Sequence, residues 1–421
     1  MHTMNTTNRL ASLLALTAAL AGCGGAADKT STPAPSPTPA PAPAPAPVPT
    51  APVSVGFVQP SSNVLEPNVS ESLSVNVLVN GSQAPNGTVA TFTVNPTSAA
   101  ALAPVAPTTV GGVANTTLTV SSLPPTATFQ VAATATSSAN TATDSLTYYV
   151  RPAHKPLQVL VPAYFSATGT TSPWVTLTSG ATSYPDVKIT AIANPSSGVL
   201  TADTKEDTDL TKAIKSFQAV SGTSNRVIGY VATTSTSSGA LSVADIKATI
   251  TNYIRLYPGL LDGFFLDGMA TDSSRVAHFQ EVYTHVKGLT TGLTTGATPP
   301  AAPIVIGNPG TYPVAAYAGV ADTLVTYAGN AAAYANIDPQ PGNTWVYAKD
   351  NSAQAMLVHT ASTCTDMQTA VKNANRPRMN TGVVYATNLA IGAPWSALPT
   401  YWQQMLGTVD ALNKQRTLPL C

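Results

Sequence analysis

Charge is scarce in this chain. Only 9% of its 421 residues are Asp, Glu, Lys or Arg, against roughly 25% in an average globular protein. The 19 cations and 19 anions cancel. That balance excludes a basic face for nucleic acid and a polybasic patch for anionic lipid. The surface has to be covered largely by Ser, Thr, Asn and Ala, which suits an exported protein. Cysteine is scarce too. The three present show no CxxC spacing, and no HxxxH pair accompanies them, so no metal site is expected. Nothing in the chain calls for a cofactor.

The N-terminus accounts for export. Arg9 precedes an apolar run from Leu10 to Leu20, too short to cross a bilayer. Residues 1–22 read as a signal peptide. The run ends in Leu20-Ala21-Gly22-Cys23, which resembles a bacterial lipobox. That resemblance implies that Cys23 is diacylated and becomes the first mature residue, anchoring the chain to a membrane. Each buried acyl CH₂ contributes about 0.8 kcal/mol, so several chains hold firmly. Gly24 stands where an inner-membrane retention signal would place Asp, so the outer membrane is the expected destination. An ordinary signal peptide with an incidental Cys is the alternative. Cys364 and Cys421 remain, and in an oxidising periplasm they are expected to form one disulfide. Cys421 is the last residue, so the bridge would pin the tail to the body.

From Pro33 to Pro49 proline occupies every second position. Such a segment builds no core and prefers extended polyproline II. Residues 23–53 therefore read as a lipidated Cys and a semi-rigid linker, its proline stretch spanning roughly 50 Å at about 3.1 Å per residue. A Pro-rich ligand for a partner domain is the weaker alternative. Residues 54–151 switch to period-two alternation: Ser72–Val79, Thr88–Val94, Ala114–Val120, Phe129–Ala135 and Leu146–Val150. Asn80-Gly81, Asn86-Gly87 and Gly111-Gly112 supply turns. Short strands at this spacing argue an all-β sandwich. In rhythm the segment is similar to bacterial immunoglobulin-like modules, which implies a spacer or adhesion role. Pro152–Pro156 reads as a hinge.

Residues 155–421 alternate strands with helices. Eight apolar runs read as strands: Leu157–Pro162, Val187–Ala193, Arg226–Ala232, Asp262–Asp267, Pro303–Asn308, Asp322–Tyr327, Ala355–His359 and Gly382–Ala386. Val243, Ile246, Ile250 and Ile254 share one helical face, and Ser242 with Asp245 reads as a capping box. Val276, Phe279, Tyr283 and Val286 form a second stripe. Eight β/α units predict an α/β (β/α)₈ barrel of TIM type. A doubly wound sheet is the alternative, but Pro162-Ala163-Tyr164-Phe165 is no Gly-rich nucleotide turn.

An ordered set of motifs is more specific. Val161-Pro162-Ala163-Tyr164 opens the domain. Ile192-Ala193-Asn194-Pro195-Ser196-Ser197-Gly198 and Val227-Ile228-Gly229-Tyr230-Val231-Ala232-Thr233 follow. Asp262–Asp267, Gly307-Asn308-Pro309-Gly310 and Leu398-Pro399-Thr400-Tyr401-Trp402 complete the set. From Lys155 to about Leu412 the chain resembles the spherulation-specific family 4, or spherulin-4-like proteins. The resemblance implies a (β/α)₈ barrel, some members being glycoside hydrolases that cut galactosamine-containing exopolysaccharides. In hydrolytic members the fourth strand ends in an Asp-Glu pair; here it ends in Asp267-Gly268. Ala328 stands where those members carry a Glu after strand six. Ala386-Thr387-Asn388 stands where an acidic residue is common.

Most glycosidases need two carboxylates, one as acid and one as nucleophile or base. The expected strand ends supply Tyr164, Asn194, Tyr230, Asp267, Asn308, Tyr327, His359 and Asn388. Only Asp267 is an acid, and it is the candidate catalytic group. The other seven are candidate sugar contacts, by stacking and hydrogen bonding. Four of these residues have a plainer alternative. Asp267 could hold its own loop, Asn194 and Asn308 could shape turns before proline, and His359 could be structural. Asp272 reads as the N-cap of the following helix rather than a displaced acid. Glu206, Asp207 and Asp209 read as a solvated helix start. Tyr401 and Trp402 read as core or bottom-face packing. The expectation is an envelope lipoprotein whose barrel acts on or binds an amino-sugar polysaccharide. A non-catalytic glycan-binding or adhesion protein that lost the acid set is the alternative. The chain is expected to act as a monomer without nucleic acid.

Overall fold

Period-two alternation puts every second side chain on one face of a strand, and residues 53–150 obey it. The computed structural model describes residues 52–58, 62–138, 140–235, 239–290, 292–293 and 302–421. The expected signal peptide, Cys23 and the proline stalk lie outside the described residues. Nine strands follow: β1 (Val53–Phe57), β2 (Val64–Leu65), β3 (Ser70–Val79), β4 (Ser82–Gln83), β5 (Ala90–Asn95), β6 (Ala100–Ala103), β7 (Val113–Val120), β8 (Thr128–Ser137) and β9 (Asn140–Val150). One sheet runs β1-β3-β7-β6 with β4 beside β3; the other runs β2-β9-β8-β5. Val75, Val77, Phe92, Leu118 and Val131 are buried in one core shared by both sheets. Thr91, Thr93, Thr117 and Thr119 face solvent. Asn80 and Gly81 both take positive φ, 54° and 74°, the twist that closes a tight hairpin.

The second half buries its strands on both faces, so they read as apolar runs rather than alternations. β10 (Gln158–Ala163), β11 (Ile189–Ala193), β12 (Arg226–Ala232), a small hairpin of β13 (Thr234–Ser235) and β14 (Gly239–Ala240), β15 (Gly263–Asp267), β16 (Ile304–Asn308), β17 (Thr323–Asn330), β18 (Gln354–His359) and β19 (Val383–Ala386) follow in turn. Without the hairpin these are the eight expected strands. They close a parallel barrel in chain order, β19 pairing back onto β10 through Gln158–Val383 and Val159–Val384. Closure excludes the open doubly wound sheet. β17 runs past its expected end at Tyr327 to Asn330, with a register shift between Val325 and Tyr327.

Helices α1 (Pro173–Ser183), α2 (Thr208–Gln218), α3 (Val243–Leu256), α4 (Val276–Lys287), α6 (Cys364–Ala374) and α7 (Trp402–Asn413) cover the barrel, with a single-turn α5 (Ala331–Tyr334). The two expected stripes lie on α3 and α4, and Ser242 and Asp245 form a capping box. Two crossovers have no long helix. β16 reaches β17 through a 3-10 turn at Ala315–Gly319, and β17 reaches β18 through α5 and 3-10 turns at Thr344–Ala348 and Asn351–Ala353. Cys364 and Cys421 are bonded to each other.

Pro152–Pro156 does not act as the hinge expected from its prolines. Backbone groups on both sides are tied down. The Lys155 N–H donates to Asn351 Oδ1 at 2.7 Å, and Asn351 Nδ2 donates to the Lys155 carbonyl at 2.9 Å. The His154 N–H donates to Glu66 at 3.0 Å. Arg151, its side chain 5% exposed, pairs with Glu66 at 3.0 Å and donates to Asn380 at 3.1 Å. Tyr149 meets Tyr347, while Val64, Val346 and Tyr347 are buried together. Arg151→Ala leaves Glu66 without its cation and Asn380 Oδ1 without its donor, so it should cost about 2–3 kcal/mol. Urea denaturation measures this; a loss below about 0.5 kcal/mol would mean that the pair does not hold the two parts together.

Candidate functional site

The C-terminal ends of barrel strands carry the chemistry of this fold. Asp267 is the last residue of β15, its Cα level with Ala232 of β12 and Asn308 of β16. The Tyr230 hydroxyl donates to Oδ2 at 2.6 Å, and Asn308 Nδ2 donates to Oδ1 at 2.6 Å. The Asp267 carbonyl accepts from the Thr233 N–H at 2.9 Å and its hydroxyl at 2.7 Å. Backbone and side chain are thus both fixed. Two neutral donors orient the carboxylate, and no Lys, Arg or His forms an ion pair with it among the described residues.

Aromatic packing sets Tyr230. Its ring stacks on Phe265, with centroids 6.1 Å apart, and meets Tyr164 edge-on at 5.3 Å. The Tyr253 hydroxyl donates to the Tyr230 carbonyl at 2.7 Å. Across the Tyr230 ring runs the turn Pro195–Gly198. A Cβ on Gly198 would lie 2.1 Å from that ring, and the residue has φ +72°. Only glycine allows this close approach. Burial, and then the Asp267 charge, push the Tyr230 and Tyr164 hydroxyls above the ordinary tyrosine range. Both stay protonated, so Tyr230 remains a donor to Asp267.

The cluster unites five expected residues: Tyr164, Asn194, Tyr230, Asp267 and Asn308. The register supports it, since Tyr230 is level with Phe265, and Asn194 and Tyr164 follow directly on the paired Ala193 and Ala163. Asn194 makes no side-chain cap to the turn it precedes. Its Oδ1, like Asn308 Oδ1, is buried without a hydrogen-bond partner.

The other three expected contacts are bonded elsewhere. Tyr327 is buried against Tyr334, with centroids 4.9 Å apart, and its hydroxyl donates to the Asn330 carbonyl at 2.6 Å. The longer β17 and its register shift direct that ring into the helical layer. His359 bonds Thr360 at 2.8 Å and meets Trp395 edge-on. Asn388 Oδ1 accepts from the Thr400 N–H at 2.9 Å, which ties a loop. Thr233, which fixes the Asp267 backbone, and Trp395 were absent from the sequence expectation. The strand signal ends at Ala232, and nothing in the residues around Trp395 marks a site.

Among the described residues no second acid is bonded to Asp267 or to its partners Tyr230 and Asn308. Gly268 has φ +80°, and a Cβ there would lie 2.8 Å from Thr234 Oγ1. Backbone and space thus both oppose a side chain directly after Asp267. Other carboxylates at the starts of the helices serve the helices. Asp207 caps α2, Asp245 and Asp366 complete capping boxes on α3 and α6, and Asp272 caps the turn before α4. Glu206 accepts from Thr211 and Asp209 pairs with Lys212. Tyr401 and Trp402 belong to the core, but at the loop end rather than the bottom face, because the Tyr401 hydroxyl donates to Ala361 beyond β18.

Fold and site together define a TIM-type barrel with one uncompensated carboxylate at its mouth. The chain belongs to the spherulation-specific family 4, whose signature matches residues 158–409. It is 29% identical to Spherulin-4 of Physarum polycephalum over 267 residues, covering 62% of this chain and 72% of that protein. Among solved structures it is similar to Sph3 of Aspergillus clavatus in complex with GalNAc, with TM-score 0.48 and 20% identity over 61% of this chain and 98% of that one. A family 39 glycoside hydrolase from Bacteroides cellulosilyticus WH2 gives TM-score 0.36 and 10% identity over 85% and 83% of the two chains.

Two predictions follow from this geometry. Gly268→Glu should destabilise the protein by about 1–2 kcal/mol through the left-handed backbone alone; an unchanged melting temperature would contradict the strain. The second concerns acid. Burial holds His154, His278, His285 and His359 below the ordinary histidine range. Unfolding below about pH 6.5 therefore takes up protons, and stability falls with pH. The melting temperature should already decline between about pH 7 and pH 5.5, above the range where carboxylates titrate. A flat curve over that interval would refute it.

Proposed function

We infer that the barrel mouth engages an amino-sugar-containing polysaccharide and that Asp267 is the central ligand-facing group. One observation carries the reading. Asp267 is fixed at the mouth by Tyr230 and Asn308 yet keeps its charge uncompensated, within a wall of tyrosines and amides. Aromatic faces and amide dipoles suit sugar rings and hydroxyls. Family membership supports the sugar class, since spherulin-4-like hydrolases cut galactosamine-containing exopolysaccharides. Within this reading Asp267 is the only candidate acid or base of the cluster. Hydrolysis then needs a nucleophile from the substrate, such as a neighbouring acetamido group.

The second reading is a non-catalytic glycan-binding protein. Gly268 favours it, because its backbone excludes a paired acid beside Asp267. We further propose that the two-sheet domain is an immunoglobulin-like spacer. In this proposal Cys23 carries the lipid that anchors the chain in the outer membrane.

Wild type and Asp267→Asn are to be compared for binding to galactosamine polymers and for release of reducing ends. Binding by wild type should weaken about tenfold or more in Asp267→Asn, a loss of about 1.4 kcal/mol. Reducing ends released by wild type and lost in Asp267→Asn identify the hydrolase; binding without release identifies the glycan binder. Equal behaviour of both proteins would remove Asp267 from the function.

A further inference from the structure

Among the described residues no cation pairs with Asp267. Asp267 supplies a formal negative charge whose partners, Tyr230 and Asn308, are neutral. The charge acting on the Tyr164 and Tyr230 hydroxyls is that of Asp267, and no Lys or Arg is among the groups that shift them. In a partly buried site the field of that charge is screened less than in water.

The geometry points to a protonated, unacetylated amino sugar as the unit held against Asp267, in preference to its N-acetylated form. An ammonium group brings three donors and a positive charge to a site that offers acceptors and a negative charge. An acetamide brings one N–H, no charge, and a carbonyl oxygen that can only accept. This inference rests on the glycan reading above and narrows its substrate class. It also bears on the chemistry. A protonated amine has no lone pair for attack, so the selected sugar cannot assist its own cleavage, and the mouth retains such a polymer rather than cutting it.

The test uses the mature chain and two oligosaccharide probes of equal length and linkage, a galactosamine oligomer and its N-acetylated counterpart. Titration calorimetry at about pH 6 should show the free-amine oligomer bound at least about tenfold more tightly, as expected for a charge-assisted contact. That preference should vanish in Asp267→Asn, whose folding is checked by circular dichroism. It should also fade for wild type as pH rises past the range of an α-amino group, about 7.7–8.0. Equal or tighter binding of the N-acetylated oligomer overturns the inference and leaves the glycan reading standing. A preference that survives in Asp267→Asn overturns it as well. Binding of neither oligomer overturns both.

Discussion

Barrel closure is the constraint on which everything else depends. Two backbone pairings, Gln158–Val383 and Val159–Val384, join the last strand to the first. With the ring closed, strand register decides which side chains meet at the mouth. Phe265 sits level with Tyr230 and Ile306, and Asp267 with Ala232 and Asn308. Tyr230 reaches Asp267 because its ring spans two residue levels along the strand. A one-residue slip would turn the inward set outward. The site is therefore a property of the closed ring rather than of any loop.

Neutral donors around a carboxylate have a different consequence from an ion pair. Two hydrogen bonds fix the direction of Asp267 while leaving its charge for a ligand. A lysine at the same place would have cancelled it. The tyrosines complete the arrangement, since burial and the Asp267 charge both oppose their ionisation. The mouth thus carries one negative charge instead of a shared or divided one.

Much of this was legible in the residues. Strands buried on both faces announce themselves as short apolar runs, and the eight runs became the eight barrel strands. Helix stripes and the Ser242–Asp245 box were read from spacing and capping chemistry. The site was partly legible: Tyr164, Asn194, Tyr230, Asp267 and Asn308 converge, whereas Tyr327, His359 and Asn388 are bonded elsewhere. Tyr327 shows why. A register shift in β17 carries no residue signature, yet it moves the strand end by three residues and turns the ring toward Tyr334. Thr233 was missed because a threonine that hydrogen-bonds a neighbouring strand's carbonyl looks like any other strand-end threonine. The Pro152–Pro156 segment misled for a related reason. Proline composition describes the segment alone, whereas Asn351 and Glu66, far away in sequence, decide its freedom.

The two crossovers without long helices show how the rest of the chain is used. Between β17 and β18 the chain forms α5 and two 3-10 turns, and this stretch supplies Tyr347, Val346 and Gln340 to the two-sheet domain. A long helix there would cover the barrel but offer no such surface. Val346 and Tyr347 lie in the turn before β18, and Asn380, which accepts from Arg151, lies just before β19. The two-sheet domain therefore docks on the N-terminal end of the barrel, where residues of this fold serve stability. Asp267 lies at the opposite end. The strands separate the docking face from the mouth, so the buried Arg151–Glu66 pair joins the two parts without entering the site.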